Sequence, residues 1–431
     1  MEFDKFYFYL LRLRNSSFPE LVHRTRHFFF INRLKSQLSE ENNLPAVPRI
    51  DFMNVLDLQL PEICGEANER LVKGILQGKL FSSDAEPNAI RRYENRWRKT
   101  YFNDVKKSDQ DVDLRSVWEP ARLQHLAVLI KYVLKNENSE LFDSVLFFIK
   151  KSVLKWIREN PFLYGPHYIS AMECGLRIPL FFYCLKLLDN LADKEFQLIL
   201  DTLYRHAWWI SNRLSLYSSR GNHTIAEACG LIFGGAVFKH TPEGQRWFEK
   251  GHKLLSKELD RQIAEDGGAA EQSLSYHRFV IDLYWLAIDF LKKNNFRDCD
   301  EFQERLVKAE YFITAFEDAG GGIPSIGDSD DGHAIAPGIC PCRTLPGHRR
   351  KKIQTFHKSG YTIFNDKNIV LTFDHGPLGM APLYNHGHAD ALSITLSVNG
   401  KEILVDPGTY RYNGELEFRK YFKSTRAHNT V

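Results

Sequence analysis

Between residues 118 and 317, apolar positions recur at the three- and four-residue spacing of helices, in one segment after another. Leu123, Leu126, Ala127, Ile130, Val133 and Leu134 form one stripe; Leu141, Val145, Phe148, Ile149 and Trp156 form the next. The same spacing predicts helices at about 170–190, 193–213, 223–239, 245–263, 273–293 and 302–316. Breakers such as Asn136-Glu137-Asn138 and Pro242-Glu243-Gly244 separate them. Helical hairpins at intervals of roughly 40 residues, with no repeated signature, point to an α/α toroid rather than a repeat solenoid.

Residues 318–358 break this pattern with a glycine- and aspartate-rich stretch and a Pro/Cys/basic linker. Beyond it the period becomes two. Tyr361-Thr362-Ile363-Phe364 and Ile369-Val370-Leu371-Thr372-Phe373 read as strands. Residues 392–398 and 402–405 flank Asn399-Gly400, the signature of a two-residue hairpin turn. Pairing Val398 with Lys401 then sets Leu396 against Ile403, Ile394 against Val405 and Ser393 against Asp406. The reading is a multidomain α and β chain. It has a mostly helical N-terminal segment (1–89), an α/α toroid (90–335), a linker (336–358) and an antiparallel β-domain (359–431). The last is too short to close a sandwich, so a truncated β-sandwich domain is expected.

Composition narrows the function. Hydrophobic residues at 43% and aromatics at 13% of 431 residues fit a globular protein. A net charge of +3 gives no overall field for nucleic acid. Arg12, Arg14, Arg24, Arg26, Arg33 and Lys35 are mixed with Phe28-Phe29-Phe30, as in a packed amphipathic segment rather than a membrane-surface helix. No run reaches the roughly 18 apolar residues of a spanning helix, so no membrane partner is expected. The start, Met1-Glu2-Phe3-Asp4, lacks the basic and apolar regions of an export signal. A soluble protein, cytoplasmic or periplasmic in a bacterium, is the expectation; oligomeric state is not legible. The seven cysteines show no disulfide framework, and Cys340-Pro341-Cys342 reads as a loop.

The densest chemistry lies near the C-terminus. Asn385-His386-Gly387-His388-Ala389-Asp390, then Asp406 and His428, place three imidazoles and two further carboxylates in a β-region. Such a set suits a metal site, proton transfer, or both. On an extended segment His386 and His388 share a face, so both could bind one metal. Asp328, Asp330 and Asp331 resemble a calcium loop in composition but lack the length and terminal Glu of an EF-hand, and read as a turn. Glu227 lies four residues beyond His223 on a predicted helix face, where it could orient that ring or meet a substrate. Arg419, Tyr421 and Arg426 could contact an acidic glycan.

Three stretches resemble the heparinase II/III-like polysaccharide lyases, a group that includes alginate lyases. They are Gly221-Asn222-His223-Thr224-Ile225-Ala226-Glu227, Asp266-Gly267-Gly268 through Glu271-Gln272-Ser273-Leu274-Ser275-Tyr276-His277, and the HGHAD…VDPGTY…HNTV run. Trp118-Glu119-Pro120-Ala121-Arg122 and Ala171 through Arg177 are similar to weaker family marks. The resemblance covers about residues 90–431. It implies an incomplete α/α toroid followed by an antiparallel β-sandwich, with the active site between them. It also implies β-elimination on an acidic, uronic-acid-containing polysaccharide or oligosaccharide. A base removes the C5 proton, the C4–O bond breaks, and the uronate carboxylate must be neutralised. The resemblance assigns Asn222 to the carboxylate, with His223 beside it, Tyr276 as base or acid, and His386 to catalysis. It assigns His388, Asp406 and His428 to a Zn2+ site that would brace the domain interface and position His386 rather than activate water. One difficulty is that the ideal hairpin places Asp406 opposite Ser393, five residues from His388, so the HGHAD segment must fold back at Gly387. A uronate C5-epimerase uses the same proton abstraction, and a glycan-binding protein without turnover would keep the same fold; both stay open at this point.

Overall fold

The computed structural model describes residues 16–38, 45–79, 97–105, 113–188, 191–217, 219–330, 332–347, 351–366, 368–381, 384–412 and 416–431. Two compact units are present, Met1–Val47 and Pro48–Val431. In the first, α1 (Phe18–Leu38) carries an i,i+4 ion pair between Glu20 and Arg24. Phe28 and Phe29 are exposed while Ile31 and Leu34 are buried, so the aromatic run does not pack as the amphipathic reading expects. Arg12 and Arg14 fall outside the described residues.

The second unit begins with α2 (Phe52–Leu56), β1 (Ile63–Gly65) and α3 (Glu69–Leu76). Nine helices described next build the open toroid. They are α4 (Leu114–Ala121), α5 (Gln124–Lys135), α6 (Phe142–Glu159), α7 (Ala171–Leu187), α8 (Asp193–Asn212), α9 (Asn222–Val237), α10 (Pro242–Gln262), α11 (Leu274–Lys293) and α12 (Asp300–Phe316). α7 and α9 are buried along almost their whole length, which makes them the inner helices of the layer. A bidentate pair, Arg122 to Glu173 at 2.8 and 2.9 Å, is buried between α4 and α7. Both charges are thereby paired and hydrogen-bonded, the condition under which such burial is tolerated. No helix among the described residues is long and apolar enough to cross a membrane.

The linker expected over 336–358 is structured. β2 (Ile339–Pro341) pairs antiparallel with β1, and a disulfide joins Cys64 to Cys342 across 278 residues of sequence. This corrects the reading of the Cys-Pro-Cys run as a plain loop. The pairing partner lies in the N-terminal segment, beyond the reach of any local spacing rule.

β3 (Ile353–Phe356), β4 (Tyr361–Asn365), β5 (Ile369–Asp374), β6 (Ile394–Val398) and β7 (Lys401–Leu404) form one antiparallel sheet in chain order. Tyr361, Ile363, Val370 and Thr372 face the helices, where Phe312 and Phe316 of α12 meet Phe356 and Tyr361 edge-on. Leu371, Phe373, Ile403 and Val405 lie exposed on the opposite face. A sheet apolar on both sides is one layer of a β-sandwich. The hairpin turns at Asn399-Gly400 and pairs Val398 with Lys401, but a bulge between Leu396 and Ser397 then sets Leu396 against Leu404 instead of Ile403. The register is thereby shifted by one residue on the β7 side, which corrects the ideal pairing. α13 (Leu416–Phe422) and a short 3-10 turn close the chain.

Candidate active site

The site lies where helix starts of the toroid meet loops leaving the sheet. α9 begins at Asn222 after Gly221, whose φ is +129°. A Cβ at Gly221 would lie 2.7 Å from Glu271 Oε1, so only glycine leaves room for that carboxylate. Glu271 accepts from the Asn222 backbone N–H at 2.8 Å and from its side-chain Nδ2 at 2.9 Å. A carboxylate at a helix N-terminus meets unpaired N–H groups and the positive end of the dipole. Burial nevertheless raises the Glu271 carboxyl above its ordinary range, although His386 and Asn222 oppose the shift.

Tyr276 sits in the first turn of α11. Its hydroxyl shares a hydrogen bond with the Tyr412 hydroxyl and donates to Asp330 Oδ2 at 3.3 Å. Burial, then the charge of Asp330, holds the phenol well above its usual value. The Tyr276 and His386 rings meet edge-on, with centroids 4.4 Å apart. His386 Nδ1 lies 3.1 Å from Asp328 Oδ2, and its Nε2 lies 3.4 Å from Glu271 Oε2.

Asp328, read from the sequence as part of a turn, is the hub of this arrangement. It is fully buried, and it accepts from His386 Nδ1, from His388 Nε2 at 2.9 Å and from both terminal nitrogens of Arg419 at 2.6 Å. Burial opposes its ionisation, but the bonds from His386, His388 and Arg419 outweigh it and hold the carboxyl well below the usual range. Its backbone N–H donates to His386 O at 3.0 Å, which ties the two loops together. Asp331 lies outside the described residues.

His388, Asp406 and His428 are all buried, and one ligand atom from each falls within 4.8 Å of the others. The fold-back that the ideal hairpin demanded is present. At Gly387 the backbone runs so close to the Leu378 carbonyl that a Cβ would collide with it. The C-terminal segment also docks here: Asn429 Nδ2 donates to Ile394 O at 3.0 Å and to Val405 O at 2.8 Å, which brings His428 Nδ1 to 3.3 Å from Asp406 Oδ2. His388 Nδ1 is buried without a hydrogen-bond partner. An unpartnered ring nitrogen on His388, grouped with a carboxylate and a second imidazole, fits a zinc ion in donor type.

The other residues singled out from the sequence are placed differently. Asn222 is only 3% exposed and spends amide hydrogen-bonding capacity on Glu271, not on open cleft. His223 is half-buried; burial and then His386 lower its pKa to about 4, and its Nδ1 lies 3.3 Å from Ser170 Oγ. Glu227 does not reach His223. It is fully buried and accepts from Ser215 N and Oγ, both at 2.7 Å, because its side of α9 faces the loop following α8. That corrects its reading as a substrate or ring-orienting group. Arg419 is turned inward onto Asp328 and over the Tyr412 ring, so its guanidinium is not free for a glycan. Tyr421 stays exposed on α13 against Phe422, outside the cluster. Glu271, Asp328 and Tyr412 carry geometry that sequence reasoning did not assign. The signal for Asp328 is that clustered histidines need a carboxylate partner for their second nitrogens.

Comparison with known proteins agrees with this fold. Residues 151–334 match the family model Heparinase II/III N-terminus, and residues 348–431 match Heparinase II/III-like, C-terminal. A heparin-sulfate lyase from Bacteroides stercoris is 25% identical over 260 residues, covering 53% of this chain and 37% of the relative. Another from Pedobacter heparinus is 25% identical over 261 residues, covering 54% and 38%. The matched region thus spans little more than a third of the length of these curated relatives. The crystal structure of heparinase III superposes with a TM-score of 0.60 at 18% identity, over 96% of this chain and 68% of that one.

Proposed function

The chain belongs to the heparinase II/III-like family, and from that premise we propose that it is a polysaccharide lyase cleaving a uronic-acid-containing glycan by β-elimination. The observation that carries the reading is the contact of Tyr276 with His386, whose Nδ1 is taken up by Asp328. With Nδ1–H donated to that carboxylate, Nε2 is the nitrogen left to receive the C5 proton. The C–H electron pair forms the C4–C5 double bond and the C4–O bond breaks. Tyr276, whose phenol burial keeps protonated, gives its proton to the departing oxygen. The phenolate so formed lies against the Tyr412 hydroxyl, which donates to it until solvent returns the proton.

The C5 proton becomes acidic only when the adjacent carboxylate is neutralised. His223 suits this role better than Asn222. If its Nδ1 accepts from Ser170, the proton sits on Nε2, a donor on a partly buried ring. Asn222 then serves to hold Glu271 at the helix start. His388, Asp406 and His428 would hold a zinc ion. When bound, zinc supplies a fixed divalent charge that ties the HGHAD loop to the C-terminal segment. The Cys64–Cys342 disulfide supports an oxidising compartment, the periplasm of the two proposed from the sequence.

The test is ultraviolet absorbance of the unsaturated uronate on a panel of heparan-type, chondroitin-type, alginate and bacterial exopolysaccharides. A rise in the wild type that is lost in Tyr276→Phe and His386→Ala is expected. Solvent deuterium entering C5 without any rise would instead mark an epimerase.

A further inference from the structure

The chemistry above uses His386 for proton transfer and assigns His388, Asp406 and His428 to a metal. Asp328 belongs to neither set and touches both. A carboxylate offers about four acceptor positions, and here four N–H groups point at them. Two come from Arg419, one from His386 Nδ1 and one from His388 Nε2. With no hydrogen of its own, the carboxylate can only accept. Each imidazole must therefore present an N–H to it, which fixes the proton of His386 on Nδ1 and that of His388 on Nε2. In the neutral rings the remaining lone pairs are then His386 Nε2 and His388 Nδ1. The first lies 3.4 Å from Glu271. The second is buried without a hydrogen-bond partner, on a ring that is grouped with Asp406 and His428.

We propose that Asp328 is a positioning residue that sets both histidines through one carboxylate, so that metal binding at His388 and the aim of His386 are coupled. The proposal rests on the roles given above to His386 and to the metal cluster. Only Gly387 separates the two histidines in sequence, and the Asp328 backbone N–H also holds His386 O at 3.0 Å. A displacement of either ring is thus felt by the other through a single side chain. With His388 holding a metal, Asp328 would hold its Nε2–H, the carboxylate–histidine–metal arrangement that orients metal ligands. An asparagine cannot do the same. Its amide presents one oxygen and one NH2, so one histidine would face N–H against N–H.

Asp328→Asn tests the coupling, with zinc alone as the probe in a competition assay against a chromophoric chelator. Zinc affinity is expected to fall about 10–100-fold, and kcat at saturating zinc by a similar factor, with KM changed less than about 2-fold. A residue acting only on stability would lower the melting temperature and leave zinc affinity and kcat of the folded protein at wild-type values. That result would overturn the proposal. Should the variant fail to fold, nitrogen NMR of histidine-labelled wild-type protein decides. Protons on His386 Nδ1 and His388 Nε2 are expected, and the opposite tautomer at either ring overturns it. If wild-type protein binds zinc but yields no unsaturated product, the lyase reading fails while the tautomer result still judges Asp328. If it binds no zinc, the coupling fails with it.

Discussion

Arg419 and Asp328 meet end on, Nη1 at 2.6 Å from Oδ1 and Nη2 at 2.6 Å from Oδ2, which makes the guanidinium the main counter-charge to a fully buried carboxylate. Arg419→Met would leave Asp328 with two imidazoles and no permanent positive charge. Removing one partner of a buried pair costs about 3 kcal/mol, and that loss is expected in the urea midpoint with an unchanged slope. An unaltered midpoint would show that the histidines alone satisfy Asp328.

Glu227 gives a pH signature. Burial pushes its carboxyl up to about 8, with the Ser215 bonds pulling the other way. In the unfolded chain it titrates at about 4.3, so between these values the folded state binds more protons. Its contribution to stability is full below about pH 4.3 and is lost as pH rises through about 8. Glu227→Gln is expected to flatten the stability curve across that window. Parallel wild-type and variant curves would contradict the assignment.

Zinc should behave as a stabilising ligand. Dialysis against dipicolinate is expected to lower the melting temperature of wild-type protein, and stoichiometric zinc to restore it. His428→Ala should respond to neither treatment. A variant that still gains stability from zinc would place the ion elsewhere.

The Cys64–Cys342 bond closes a loop of 278 residues. Cys342→Ser is expected to lower stability by about 2–4 kcal/mol in non-reducing conditions, and to abolish the sensitivity of the wild type to dithiothreitol. Cys340 faces Cys64 in the strand register and is the thiol to monitor by labelling in that variant.

Much of the fold was legible in the sequence because burial imposes a period. The stripe over 273–293 becomes α11 at Leu274–Lys293, and Asn399-Gly400 turns the hairpin where expected. The bulge beyond that turn was not legible. Ile403-Leu404-Val405 is apolar at three successive positions, so alternation alone cannot choose which residue faces Leu396. Glu227 illustrates a second limit. Helical spacing put it on the face of His223, but which neighbour fills that face is a tertiary fact, and Ser215 does. Asp328 stood in a Gly-Asp-Ser-Asp stretch whose composition matches any polar turn. What sets it apart is its burial beneath two histidines and an arginine brought from a distant part of the chain.

The central claim is β-elimination with His386 taking the C5 proton and Tyr276 serving the leaving oxygen. Its most direct test is the ultraviolet signal of the unsaturated uronate across the panel of uronic-acid-containing polysaccharides, read in wild type, Tyr276→Phe and His386→Ala. The account predicts a steady rise in wild type and a fall of about 100-fold or more in each variant, with all three folded. A wild-type rise that persists undiminished in both variants would contradict it.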